Sequence, residues 1–384
     1  MKNKTTINEG NDKMKKNNNN NSDRVIEDGD IFFFYRPKID TKEVKDISDI
    51  QRFYMVTCKS INNKNKTKKY RLFMLGSKKM PEIVQGKLLP EEKNWALNIL
   101  TTSNPKELHK ELLVPAEYTT KTRGKRRIAA AQPAGEGKYS IIKHDGHTEL
   151  AYILEIPKIL GPTQTEFEIK KEASYIVSVK NPKISIPGYE AFSKRGSKPD
   201  YPKHIIEKFG EKRWINVDAD PNILDYENTQ LLLIGARKKN VEEELGIEIN
   251  EEKETKNNAD IFKELKIKRE EIPLQPFLKG EFPKKDEIPM SIQIKEIPSK
   301  HAPGVKGGRK GGKIAATKSL SAAAIAKILS GISLPINKTD LLKFARKNKS
   351  KVKKSDKILD ILDKLPKKTY YKITDIEQEF GKLS

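Results

Sequence analysis

The sequence predicts an α+β domain built on a mainly antiparallel sheet with short helices, followed by a flexible linker and a small all-α domain. Three observations lead there. Short runs of aromatic and β-branched residues crowd residues 24–237 without a regular strand–helix alternation. Residues 238–303 turn acidic and then proline-rich, the composition of a linker. Residues 318–384 repeat apolar residues at helical spacing between capping and stop signals.

Taken in order, residues 1–23 form a polar tail with an asparagine run, Asn17 to Asn21, and too little apolar surface to offset the entropy of ordering. Strands are expected at 31–35, 53–58, 70–75, 127–131, 138–143, 148–156, 174–180 and 231–235. Asp145-Gly146 between two of them reads as a two-residue hairpin turn, because both residue types accept positive φ. Helices are expected over 91–101, where Trp95, Ala96, Ile99 and Leu100 have helical spacing, over 104–112, with Asn104 as N-cap and Pro105 in the first turn, and over 202–209. The linker carries Glu242, Glu243 and Glu244 early and Pro289, Pro298 and Pro303 late, with a short helix near Asp260–Lys268. A basic Gly/Lys arm occupies 304–317. Beyond it, Gly331 closes one helix, Asn337 caps a second and Ser355 a third, which presents Ile358, Ile361, Leu362 and Leu365 on one stripe. Thr374 and Glu377 form a capping box for a last helix with Ile376 and Phe380.

The 384 residues carry 76 Lys+Arg against 53 Asp+Glu, a net charge of +23. Such an excess draws polyanions. Lys, Asn and Ile are frequent throughout, as an AT-rich genome encodes them, so the placement of the charge weighs more than its total. Residues 296–384 hold 21 Lys+Arg and 8 Asp+Glu, a net +13 in under a quarter of the chain. The single cysteine, Cys58, ends an apolar run and reads as a buried structural thiol; it excludes an internal disulfide and the usual paired-cysteine zinc site. The N-terminus lacks the apolar segment of a secretory signal, and no run reaches the ~18 apolar residues of a membrane span, so a cytoplasmic protein without membrane partners is expected.

Four constellations could carry chemistry. Basic stretches come first: Arg123, Lys125, Arg126 and Arg127 before a strand; Lys306, Arg309, Lys310 and Lys313 in the arm; Arg346, Lys347, Lys351, Lys353 and Lys354 between two helices. They suit phosphate-backbone contacts, with no recognition helix to read bases. Second, His144 and His147 flank the Asp145-Gly146 turn and would face each other; two ligands do not make a metal site, and Glu149 or a distant carboxylate would have to complete one. A polar hairpin tip, without metal or cofactor, is the expectation. Third, Asp218, Asp220, Asp225 and Glu227 could hold Mg²⁺ or serve as acid and base, but around Pro221 they read as capping and turn residues. Fourth, Gly135-Glu136-Gly137 reads as a tight turn, not a phosphate cradle.

The pattern Leu334-Pro335, Lys338 to Arg346, Ile361 to Pro366 and Tyr370 to Phe380 resembles a small prokaryotic helical domain of unknown function, over roughly the last 55 residues. The stretches Gly29 to Pro37, Ala134 to Tyr139 and on to Tyr152, Glu172 to Pro182 and Leu224 to Ala236 are similar to an uncharacterised prokaryotic family, spanning 28–237. Neither resemblance implies an activity. The expected function is non-specific DNA or RNA binding through the basic arm and the C-terminal domain. The alternatives are an enzyme or metal-binding protein with its site in the α+β domain, and an adaptor that docks a protein partner through the helical domain.

Overall fold

Strand β1 (Val25–Pro37) holds five consecutive fully buried side chains, Ile31, Phe32, Phe33, Phe34 and Tyr35. A strand with one wet face would alternate. This one does not, because its odd-numbered residues face one core and its even-numbered residues another. The computed structural model describes residues 24–41, 43–60, 68–83, 93–185, 198–252, 255, 257–288, 295–297, 328, 329, 331–348, 355–370, 376, 379 and 380. The chain divides into two compact units, Met1–Ser299 and Lys300–Ser384. The expected polar tail and the basic arm lie outside the described residues.

In the first unit β1 pairs with β2 (Ile50–Ser60) and β7 (Gln132–His144). The ladder runs on through β3 (Lys68–Leu75), β4 (Lys93–Thr102), β11 (Gln230–Arg237), β9 (Glu172–Lys180) and β8 (His147–Ile156), which returns to β7. Eight strands, every neighbour antiparallel, thus close into a barrel. Short β10 (Trp214–Asn216) extends the end of β9 that β8 leaves free. An eight-stranded barrel is just wide enough for side chains to fill. Here aromatics do so: Phe33, Phe53, Tyr152 and Tyr175 from the strands, with Phe167 from the segment after the short helix α2 (Pro162–Glu166). The Phe53 and Phe167 rings stack at 4.7 Å and Phe33 meets Tyr152 edge-on at 5.3 Å.

Helices cover much of the outer wall. Helix α1 (Pro105–Leu112), capped by the Asn104 side chain as expected, buries Leu108 and Leu112 against Phe32, Phe34, Val56 and Leu72. Helix α3 (Lys203–Phe209) adds Ile205 and Phe209 to the lumen-side core. Helices α4 (Val241–Leu245), α5 (Asp260–Lys263) and α6 (Leu274–Lys279) fall where composition reads as linker, and of these only α5 lies within the short helix expected near Asp260–Lys268. Val241 and Leu245 nevertheless pack on Ile142, Ala151 and Ile153, and Ile261 and Phe277 join the cluster around Phe34. Glu243 and Glu244 are exposed on α4, whereas Pro273, Pro276 and Pro283 are buried with the apolar anchors, so the bulk composition hides the packing.

Two further readings change. Residues 91–101, expected as helix, contain β4: Ala96 enters the lumen-side cluster and Leu97 the outer one, and a strand buried on both faces shows no alternation to set against helical spacing. Gly135-Glu136-Gly137 lies inside β7, not at a turn. A Cβ on Gly137 would stand 2.0 Å from the Ile153 carbonyl oxygen, so glycine there lets β8 approach at a register shift. The expected strand at 127–131 begins earlier, as the hairpin β5 (Ala116–Thr120) and β6 (Gly124–Ile128), with β12 (Lys295–Glu296) parallel to β5.

In the second unit α7 (Lys338–Lys347) and α8 (Ser355–Asp363) pack Leu341, Ala345, Ile358 and Leu362 with Ile328, Leu365, Tyr370, Ile376 and Phe380. Asn337 caps α7 by accepting from the Asp340 N–H at 3.0 Å. A two-residue ladder, β13 (Ile336–Asn337) with β14 (Thr369–Tyr370), joins segments that periodicity shows only as helix flanks.

Candidate functional site

The basic hairpin β5–β6 is half neutralised. Lys125 pairs with Glu117 at 2.6 Å, and Arg126 with Asp40 at 2.6 Å; Asp40 also accepts from the Arg127 N–H. Lys121, Arg123 and Arg127 remain exposed, without an ion pair among the described residues. In the second unit Arg346 and Lys347 are exposed in the last turn of α7, where positive charge complements the helix dipole. Arg346 borders a groove of about 450 Å³ with Asp356, Leu359, Asp360, Asp363 and Lys364, so one flank of α8 is acidic. Lys351, Lys353, Lys354, Lys306, Arg309, Lys310 and Lys313 lie outside the described residues.

The β7–β8 hairpin forms as its sequence requires: Asp145 (φ 44°) and Gly146 (φ 79°) make the turn, and His144 stands opposite His147. Asn216 donates to the Gly146 carbonyl at 2.8 Å and fixes the tip against β10. Glu149, two residues on, projects to the same face. Its fully buried carboxylate accepts from His147 Nε2 (2.8 Å), Ser174 Oγ (2.7 Å) and Arg237 Nη1 (2.5 Å to each oxygen). Burial alone would raise its pKa; Arg237, Ser174 and His147 outweigh that and hold it below the ordinary carboxylate value. His144 Nδ1 is buried without a hydrogen bond, 3.5 Å from Glu149 Oε1 and 3.6 Å from Asp145 Oδ2. Of the carboxylates that the sequence offers to complete this pair, Glu149 is the one brought to it.

The third constellation disperses. Asp218 pairs with Lys143 (3.1 Å), Asp220 with Lys208 (2.9 Å), and Glu227 accepts from the Thr101 N–H (3.2 Å). Asp220 Oδ1 accepts from the Asn222 N–H, a turn role. Asp225 instead joins a buried network. Arg71, wholly inaccessible, forks onto Glu27 (2.6 and 3.0 Å) and reaches Asp225 (2.5 Å), while Lys59, Lys69 and the Tyr139 hydroxyl bind the two acids. Sequence reasoning misses this network; Glu27 and Arg71 stand among other charged residues at the starts of β1 and β3, so nothing local marks them as buried.

A second polar cluster, also missed, lies outside the barrel. Lys138 bridges Asp30 (2.8 Å) and Asp260, and Lys68 bridges Asp30 (3.3 Å) and Glu264, along a groove of about 420 Å³. Asp30, Cys58 and Glu264 bring three donor atoms together, but the Lys68 ammonium already occupies the cation's place. Burial pushes the Cys58 thiol far up, so it stays protonated.

Residues 320–377 match the family model described as a protein of unknown function, DUF2795. The α7–α8 unit is thus the core of a DUF2795 segment, and the resemblance seen in its sequence holds. No curated protein and no solved structure matches the chain. Among the described residues no helix is long and apolar enough to cross a membrane.

Proposed function

We propose that the protein binds nucleic acid without sequence preference, holding the phosphate backbone with the Gly/Lys arm and the DUF2795 segment. The observation that carries this reading is charge placement: a net +13 in residues 296–384, with Lys306, Arg309, Lys310 and Lys313 interspersed with glycines. Exposed Arg346 and Lys347 support it, as do Lys121 and Arg123 in the β5–β6 turn and Arg127 within β6. Asp356, Asp360 and Asp363 on one flank of α8 would repel phosphate, so on this reading the contact falls on other faces of the segment. The lumen, filled by aromatics, leaves the barrel to act as a scaffold and not as a ligand chamber. Fluorescence anisotropy of the full chain with a labelled 30-mer duplex and a single-stranded RNA tests this. Affinity should fall as a power of salt between 50 and 200 mM, on the order of 10³-fold for about six neutralised phosphates. Substituting Lys351, Lys353 and Lys354 by Ala should flatten the log–log slope by about one for each phosphate no longer neutralised. No binding at 50 mM salt, or binding indifferent to salt, would overturn the reading.

A further inference from the structure

We infer that His144, His147 and Glu149 form a binding site for a first-row divalent cation such as Zn²⁺, with Asp145 at its mouth. One ring nitrogen of His144, one of His147 and a Glu149 carboxylate oxygen all lie within 4.8 Å of one another. Donors about 2.0–2.2 Å from a tetrahedral Zn²⁺ are about 3.3–3.6 Å apart. The observed 3.5 Å from His144 to Glu149 already fits, and the 2.8 Å from His147 to Glu149 needs only to widen as the metal replaces the shared proton. The buried His144 Nδ1 has no hydrogen bond, so in the tautomer that leaves it unprotonated its lone pair is open to a ligand.

The support behind the ligands fits as well. Ser174 and Arg237 hold the Glu149 carboxylate in place, as outer partners of ligating carboxylates do, and Asn216 ties down the turn. The cation nearest the cluster is Arg237, and Glu244 balances it at 2.8 Å from Arg237 Nε. Glu149 and the 82% exposed Asp145 are then left to neutralise a divalent ion, and Asp145 Oδ2, 3.6 Å from His144 Nδ1, can serve as a fourth ligand. The contrast with Asp30, Cys58 and Glu264 is direct: there a lysine ammonium bonds two of the donors, here the two imidazole rings lie 5.8 Å apart, edge to face. Imidazole with carboxylate selects Zn²⁺ and its neighbours over Mg²⁺ or Ca²⁺.

The test uses the untagged full chain, stripped with chelator and dialysed against Zn²⁺, with Co²⁺ as a visible-absorption probe. One equivalent should bind, with the intense absorption of four-coordinate Co²⁺. His147→Ala should weaken Zn²⁺ by more than about tenfold while shifting the apo melting temperature only slightly, because Ser174 and Arg237 still hold Glu149, and His144→Gln should do the same. Asp145→Asn, at an exposed side chain, should weaken it less and provides the reading if a histidine variant fails to fold. The inference is overturned if the wild type retains no metal after dialysis, if both histidine variants bind as it does, or if Co²⁺ shows only the pale six-coordinate spectrum.

Discussion

Arg71→Met removes a wholly buried cation of the barrel while nearly preserving the length of the side chain. Arg71 is always charged and inaccessible, and it bonds two carboxylates at 2.5–3.0 Å. Breaking a buried ion pair by deleting one partner costs about 3–5 kcal/mol, because the other charge stays buried. Here each carboxylate keeps one cation: Glu27 retains Lys59 at 3.1 Å and the Tyr139 hydroxyl at 2.9 Å, and Asp225 retains Lys69 at 2.7 Å. The expected loss is therefore at the lower end, about 3 kcal/mol, or about 6–12 °C at 2–4 °C per kcal/mol for a domain of this size. Thermal melts by circular dichroism of the full chain measure it. The double variant Arg71→Met/Glu27→Met, which removes charge from both sides, should recover part of that loss, so the two substitutions should be markedly non-additive. A melt within about 1 °C of wild type for Arg71→Met, or simple additivity in the double variant, would refute the claim that the network holds the barrel end.

Two other outcomes follow from the same packing. Burial pushes the Glu27 pKa up, but Arg71 and Lys59 hold it below the ordinary value of 4.5; its contribution is thus complete above that value and lost as pH falls through the lower folded one. The melting temperature should drop steeply below about pH 4.5 in the wild type and less steeply in Glu27→Gln, and parallel curves would contradict this. Gly137→Ala would set a Cβ 2.0 Å from a carbonyl oxygen and 2.8 Å from Leu154 Cα, and should cost at least the 1–3 kcal/mol of overpacking. Gly124→Ala, with open space but φ +64°, should cost only the roughly 1–2 kcal/mol of left-handed strain, a difference read in urea midpoints.

Much of the sheet was legible because its strands are short, aromatic and separated by turn residues. The Asp145-Gly146 hairpin and the Asn104 and Asn337 caps are local features whose physics is complete within a few residues, and all three form as expected. Each misreading has a cause that lies outside the local sequence pattern. Barrel closure and helical cover bury both faces of a strand, so β4 shows no alternation, and Gly137 serves a neighbouring strand that sequence cannot see. Residues 241–279 read as linker because a few anchors, Val241, Leu245, Ile261 and Phe277, carry packing that their charged neighbours dilute. At the candidate site the histidines and Glu149 were legible as a pair with a carboxylate in reach, but Ser174 and Arg237 come from β9 and β11, 25 and 88 residues away, and only topology brings them there.

The barrel also decides where chemistry can sit. Its lumen is closed by stacked rings around Phe167 and by the Arg71 network, and much of its outer wall lies under α1, α4, α5 and α6. Polar side chains free to meet a ligand are then left at strand ends, where turns need no packing partner. The two turn sites of the first unit obey this: His144 and His147 straddle one hairpin tip, and Arg123 stands on another. Because the turn is fixed by Asn216 and the lumen by unrelated side chains, fold and site are separable. Arg71→Met should lower stability and leave Zn²⁺ uptake at ordinary temperature intact, whereas His147→Ala should weaken uptake and shift stability only slightly. If Arg71→Met also abolished uptake while the protein remained folded, the hairpin would depend on the lumen network, and the metal would have to be treated as part of the barrel's own stability.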